Sequence, residues 1–237
     1  MGKKTLIISL LLYFLSLVLF EMTDLDFQFQ NLFYRDQKWF LHTVSPVTHF
    51  IFYKLTKYLC AALAIYALVH ALIKRKNKKP FEEYRGHYIV FLSVLILSAS
   101  IALIFKPLTN VQCPDDLLQY GGKIPFVRIY EKYPINPQSK DGKWKIGRCY
   151  PSGHASGGFA LMSLFFLSLP KRKKTLGWYG ISFGFILGTI MSAYQILRGV
   201  HFISHQIATF LFALILIASL NLIIPFKNKD HYESSSH

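Results

Sequence analysis

Acidic side chains are scarce in this chain: 12 Asp and Glu stand against 27 Lys and Arg over 237 residues, a formal charge of +15. An excess of that size suits either a nucleic-acid partner or a membrane topology signal, and the placement of the cations has to decide between them. Cysteine is also rare. Cys60, Cys113 and Cys149 are too few for a disulfide-built scaffold. No internal repeat or low-complexity tract interrupts the chain. Charges are missing from the middle of the long apolar runs, which argues against a transporter. What is abundant is apolar surface: 52% hydrophobic residues and a mean hydropathy of +0.32 exclude an ordinary soluble domain of this size and favour a membrane protein.

A helix needs about 17 to 25 mostly apolar residues to cross the hydrocarbon, and six segments approach that length. They fall near 5–22, 47–73, 87–106, 154–170, 176–198 and 205–226. The expected fold is therefore all-α, a polytopic six-helix membrane bundle over 1–229 with a polar tail at 230–237. The first segment follows Lys3 and Lys4 as a secretory signal would, but no small-residue cleavage site follows Phe20-Glu21-Met22, and it reads as an uncleaved anchor. The fourth is short for a span. It suffices if the glycine-rich turn before it lies at membrane depth inside protein.

The cations cluster at Lys3-Lys4, Lys74 to Lys79, Lys171 to Lys174, and Lys227 with Lys229, and these clusters alternate onto one side of a six-span chain. The positive-inside rule makes that side cytoplasmic, with both termini there, and removes the need for a nucleic-acid partner. The opposite side then carries residues 23–46, the long loop 107–153 and the short turn 199–204. Phe27, Phe29, Phe33, Trp39 and Phe40 suit an interfacial amphipathic segment resting on headgroups. Loop 107–153 is too long for a connector. It carries seven Lys/Arg and four Asp/Glu, which makes it a candidate lid or headgroup-binding surface.

Chemistry-bearing residues gather on this outer side: Lys106 at the end of the third span, Pro151-Ser152-Gly153-His154 at the start of the fourth, and His201 before the sixth. Phosphoryl transfer needs cations and donors around the equatorial oxygens, a nucleophile in line, and an acid for the leaving oxygen. Lys106 offers charge, the Ser152 hydroxyl and the backbone N–H groups around Gly153 offer donors, and two imidazoles offer nucleophile and acid. No metal is required. A divalent site built on His154, His201 and His205 was the competing arrangement, since His201 and His205 have ligand spacing, but the Glu that usually stands beside the first His is missing.

Pro-Ser-Gly-His followed by a helix, with Lys106 before it and Gly199-Val200-His201 after it, resembles the three-part signature of the type 2 phosphatidic acid phosphatase (PAP2) superfamily. The resemblance runs from about Lys106 to His205. It implies a six-span bundle in which Lys106 and Ser152 contact phosphate, His154 protonates the leaving group, and His201 attacks phosphorus to form a phosphohistidine. It departs at three places. Cys113 stands where the family has Arg, Gln195 where it has Arg six residues before the nucleophile, and His205 where it has Asp four after it. The chain instead looks like a branch that reads Cys-Pro-x-Asp-Leu, Gly-x-Cys, Gln with Arg three on, and Ser-His.

Arg198, three residues from Gln195, shares its helix face and is a candidate replacement guanidinium, as is Arg148. His205 can orient His201 by a hydrogen bond but brings no negative charge; Asp115 or Asp116 would supply a carboxylate if the loop carried it inward, and is otherwise a cap or a solvated acid. Cys113 and Cys149 flank the motifs on the oxidising side, where a bridge between them would hold the Lys106 and Ser152 segments together. Cys60 reads as a lining residue, and His49, His70 and His87 as polar residues near span ends. The expected substrate is a lipid phosphate, such as phosphatidic acid, phosphatidylglycerol phosphate, undecaprenyl diphosphate or lipid A, met at the periplasmic face of a bacterial inner membrane. A phosphotransferase of the same fold and a silent binder of anionic lipids are the alternatives.

Overall fold

The computed structural model describes residues 2–43, 45–75, 78–168 and 174–224. The expected tail at 230–237 and much of three cation clusters (Lys76, Lys78's side chain onward to Lys79, Lys171 to Lys173, and Lys227 with Lys229) lie outside the described residues or side chains. Helix α1 (Lys3–Met22) is apolar around its whole circumference and leaves Ile7, Leu11, Phe14 and Leu15 exposed, as lipid-facing side chains are. It packs along α9 (Ile203–Ile223). Between them in sequence come α2 (Leu25–Asn31), a two-residue hairpin of β1 (Tyr34–Arg35) and β2 (Lys38–Trp39), and the short α3 (Pro46–His49). A π-helical turn, Phe50–Leu55, joins α3 to α4 (Thr56–Arg75).

Helix α5 (Lys78–Thr109) runs past the expected end of its span, so Lys106 sits in its last turn, one residue before Pro107. Proline is tolerated there because the chain leaves the helix within two residues. Helices α4 and α5 are joined by a hydrogen bond between His70 and the Tyr88 hydroxyl, which gives His70 a structural role. The short fourth span is α6 (Gly153–Ala160), a 3₁₀ turn at Leu161–Ser163, and α7 (Leu164–Ser168). Ala155, Phe159, Ala160, Leu161, Met162 and Phe166 are all buried, which makes this segment the centre of the bundle. Its shortness is tolerable because protein, not lipid, surrounds it.

Helix α8 (Lys174–Leu197) reaches that centre by close approach. A Cβ on Gly184 would lie 2.2 Å from the backbone nitrogen of Met162, so the crossing of α8 with the α6–α7 segment has no room for a side chain there.

Residues 23–43 do more than rest on headgroups. Phe27 and Trp39 turn inward onto Leu117, Tyr120 and Phe202, while Phe40 stays 69% exposed. Gln30 is fully buried and donates to the Ile196 carbonyl, and the Leu41 N–H donates to the Leu197 carbonyl. This segment therefore caps the α8–α9 turn. The loop above it is tied down as well: Arg128 donates to the Glu21 carbonyl and pairs with Asp24 at 3.0 Å, a structural use of one loop cation.

The Gly184 contact predicts that Gly184→Ala lowers the thermal midpoint in detergent, by a loss of about 1–3 kcal/mol for overpacking. Gly157→Ala, whose Cβ would meet only ordinary contacts at 3.5 Å and beyond, should be neutral or slightly stabilising. Equal effects of the two substitutions would contradict the packing account.

Candidate active site

Four chain segments converge at one end of the bundle, and backbone bonds hold them in register. The Asp115 N–H donates to the Gly199 carbonyl and the Cys149 N–H to the Val111 carbonyl, each at 2.9–3.0 Å. Thr109 Oγ1 donates to the Tyr150 carbonyl at 2.9 Å, which ties the last turn of α5, and so Lys106, to the segment that enters α6. The Tyr150–Pro151 peptide is cis. Gly199 has φ +72°, and a Cβ there would strike the Trp39 indole at 2.1 Å, so both the turn and its cap require glycine.

At this junction three imidazoles form a chain. His154 Nδ1 lies 3.1 Å from His201 Nε2, and His201 Nδ1 lies 3.5 Å from His205 Nδ1. We assign Nδ1–H of His154 as donor to Nε2 of His201, which leaves Nδ1–H of His201 facing Cys149 Sγ at 3.1 Å and His205 Nδ1 at 3.5 Å. These tautomers are assigned from the hydrogen-bond network. His201 is buried, and burial, followed by the neighbouring His205, His154 and Lys106, holds its pKa well below the ordinary imidazole range. The lowered pKa favours the neutral ring, whose Nε2 lone pair in this assignment faces His154.

The donors expected around a phosphate are present in part. Ser152 is fully buried at the N-terminus of α6, and its hydroxyl has no hydrogen-bond partner, while its carbonyl accepts from Thr209 Oγ1 at 3.1 Å. Gln195 is fully buried too. Its Nε2 has no partner, and its Oε1 accepts from Arg198 Nη1 at 3.5 Å. Arg198 also lies over the Tyr194 ring at 5.2 Å. Lys106, Lys57, Arg198 and His49 all lie near enough to lay positive potential on His154. Arg148 is exposed and hydrogen-bonds none of the three histidines. Gly153 begins α6 and lines the cavity described next.

Two residues not read from the sequence belong here. Lys57, one residue into α4, lines a cavity of ≈ 270 Å³ with His154, Gly153, Leu95, Ala99 and Met191. Its signal was available: Lys54 and Lys57 lie toward the outer end of a span, where the positive-inside rule expects few cations. The π turn directly before it is the kind of local irregularity that often accompanies a site. Asp26, from α2, accepts from Ser204 N and Oγ at 3.0 and 2.5 Å, holding the first turn of α9 that carries His205. Among the described residues neither His201 nor His205 hydrogen-bonds to a carboxylate; Asp115 is exposed, and Asp116 accepts backbone N–H groups from Lys123 and Ile124 through its carbonyl only.

Cys113 and Cys149 are joined in a disulfide, with Cα atoms 5.2 Å apart and a sequence separation of 36. In the chain-entropy model a loop of that size is stabilised by on the order of 4 kcal/mol. Cys149, His201 and His205 offer atoms within 4.8 Å of one another, but the sulfur is committed to the bridge and is not a thiolate ligand.

Burial pushes the Asp26 carboxyl up to about 6 from 3.8, against the lowering effect of the Ser204 hydrogen bonds. A carboxyl raised in the folded state contributes stability that is full below its unfolded value and is lost as pH rises through about 6. Asp26→Asn should therefore flatten the fall in thermal midpoint between about pH 4 and 7. An unchanged slope in a folded variant would contradict the placement of this carboxyl.

Comparison with known proteins follows the same lines. No curated protein matches the chain. A crystal structure of a transmembrane PAP2-type phosphatidylglycerolphosphate phosphatase from Bacillus subtilis superposes over 98% of each chain, with a TM-score of 0.57 at 11% identity, a likeness of fold. Among the described residues five helices are long and apolar enough to cross a membrane, and the shorter apolar segment Gly153–Leu167 is additional to them, which matches an integral membrane protein. The family model of the PAP2 superfamily matches residues 87–229, which include Lys106, the Ser152–His154 turn and His201, and the chain belongs to that superfamily.

Proposed function

We propose that this protein is a lipid phosphatase that works at the extracytoplasmic face through a phosphohistidine on His201, without a metal. The observation that carries the reading is the 3.1 Å contact between His154 Nδ1 and His201 Nε2 beside the unpartnered Ser152 hydroxyl. Two imidazoles facing each other across a donor-lined turn suit transfer to one and protonation by the other.

In the first half-reaction Nε2 of His201 attacks phosphorus, the bond from phosphorus to the lipid oxygen breaks, and His154 gives that oxygen a proton. For phosphorus to enter, the His154 ring has to swing away from His201. In the second, water attacks the phosphohistidine, the N–P bond breaks, and His154 takes the proton of the water. Lys106, Lys57 and Arg198, with the Ser152 hydroxyl, Gln195 Nε2 and the N–H groups at Gly153, hold the equatorial oxygens. Lys57 and Arg198 replace the charge lost at Cys113 and Gln195.

A lipid substrate is supported by the cavity beside His154, polar at Lys57 and apolar along Leu95, Ala99 and Met191, which suits a charged head with an attached chain. The structural neighbour acts on phosphatidylglycerolphosphate, in keeping with that class. The outward face is supported by the cation pattern of the sequence, and the Cys113–Cys149 bridge suits an oxidising compartment.

Phosphate release from a panel of lipid phosphates by detergent-purified protein, with EDTA present, tests the reading. Release should survive chelation, disappear in His201→Ala, and fall roughly 10²- to 10⁴-fold in His154→Ala. Transfer of phosphate to a second lipid instead of water would make the protein a phosphotransferase. No turnover of any lipid phosphate by the folded protein would leave a binder of anionic lipids.

A further inference from the structure

A nucleophilic imidazole needs a lone pair on the attacking nitrogen and a partner for the proton on the other, because that partner chooses the tautomer and fixes the ring. His201 turns Nε2 toward His154, so the partner has to be found at Nδ1. At Nδ1 the sulfur of Cys149 lies at 3.1 Å, nearer than His205 Nδ1 at 3.5 Å, and the Cys149 backbone also hydrogen-bonds the His201 ring. Cys149 is 0% and His201 1% exposed, so the contact is dry. The sulfur is also held firmly: by the bridge to Cys113, by the Cys149 N–H on the Val111 carbonyl, and by a 2.8 Å approach to the Val200 carbonyl oxygen.

We propose that Cys149 is the positioning residue for the nucleophile, its sulfur meeting Nδ1–H of His201, and that the oxidation state of the Cys113–Cys149 bridge tunes that nucleophile. This rests on the proposed role of His201. A disulfide sulfur is a weak, uncharged acceptor. Reduction by a dithiol passes two electrons and two protons to the bridge, giving thiols at Cys113 and Cys149 and a disulfide on the reductant. The Cys149 sulfur can then donate S–H to the Val200 carbonyl while still accepting from Nδ1–H. The other charged or titratable groups around His201 are His205, His154 and Lys106.

Cys113→Ser and Cys149→Ala break the bridge equally, so a purely tethering bridge would give the two variants the same kinetics. The proposal expects kcat of Cys149→Ala to fall about 10- to 100-fold below that of Cys113→Ser at similar KM, with Cys149→Ser between them. The pH profile of dithiol-reduced wild type should coincide with that of Cys113→Ser and not with that of Cys149→Ala. Indistinguishable kcat, KM and pH profiles would overturn the proposal. A second measurement needs no turnover and no cysteine variant: in wild type with ¹⁵N-labelled histidine, the Nδ1 resonance of His201, assigned by its loss in folded His201→Gln, should shift on reduction. An unmoved resonance with the bridge shown to be reduced would overturn the contact. Absence of turnover with a shifting resonance would sink the phosphatase reading and leave the contact standing.

Discussion

Hydrocarbon leaves a spanning chain nowhere to put an unpaired backbone group or an unshared charge, and this constraint governs where chemistry can reside. Helix interiors satisfy their own backbone, so they are free to be apolar, as α1 and α9 are. Apart from the buried 3₁₀ turn at Leu161–Ser163, the irregular backbone of the site lies at the helix ends, where the Tyr150 and Ser152 carbonyls accept from Thr109 and Thr209 instead of from water. Each end left open in this way gathers polar side chains from several helices at once. Lys106 comes from the last turn of α5, His154 from the first of α6, Arg198 from just past α8, and His205 from the first turn of α9.

The second consequence concerns charge. The described site is rich in cations and, at His201, poor in anions. Burial lowers the pKa of the His201 imidazole, and on the proposed reading His205 and the Cys149 sulfur behind it would orient the ring without raising its basicity. Such a site offers an anionic substrate a strong welcome and gives the nucleophile little electrostatic help until the phosphate itself is in place. The acid that does lie nearby, Asp26, is spent on holding the first turn of α9.

Much of this was legible in the residues. Long apolar runs located the helices, although α5 starts at Lys78, well before the expected 87, and the Pro151 to His154 tetrad with Lys106 and His201 pointed to the end where the polar side chains converge, because runs and motifs are local properties. What stayed hidden was long-range. Lys57 reaches the site only through the packing of α4 against α6, and no spacing relates it to His154. Phe27 and Trp39 read as headgroup aromatics because amphipathic composition cannot distinguish a lipid surface from the surface of the next loop. The sulfur against His201 Nδ1 depends on how a 36-residue separation closes, which sequence does not specify.

The central claim is that His201 carries the phosphate during turnover. Rapid alkaline quenching of protein with a ³²P-labelled lipid phosphate, followed by peptide mapping, measures this directly. The account predicts acid-labile, alkali-stable label on the peptide containing His201, gathered in greater amount when His154 is replaced and hydrolysis of the intermediate slows. Turnover without any labelled histidine, or label that persists in His201→Ala, would contradict it.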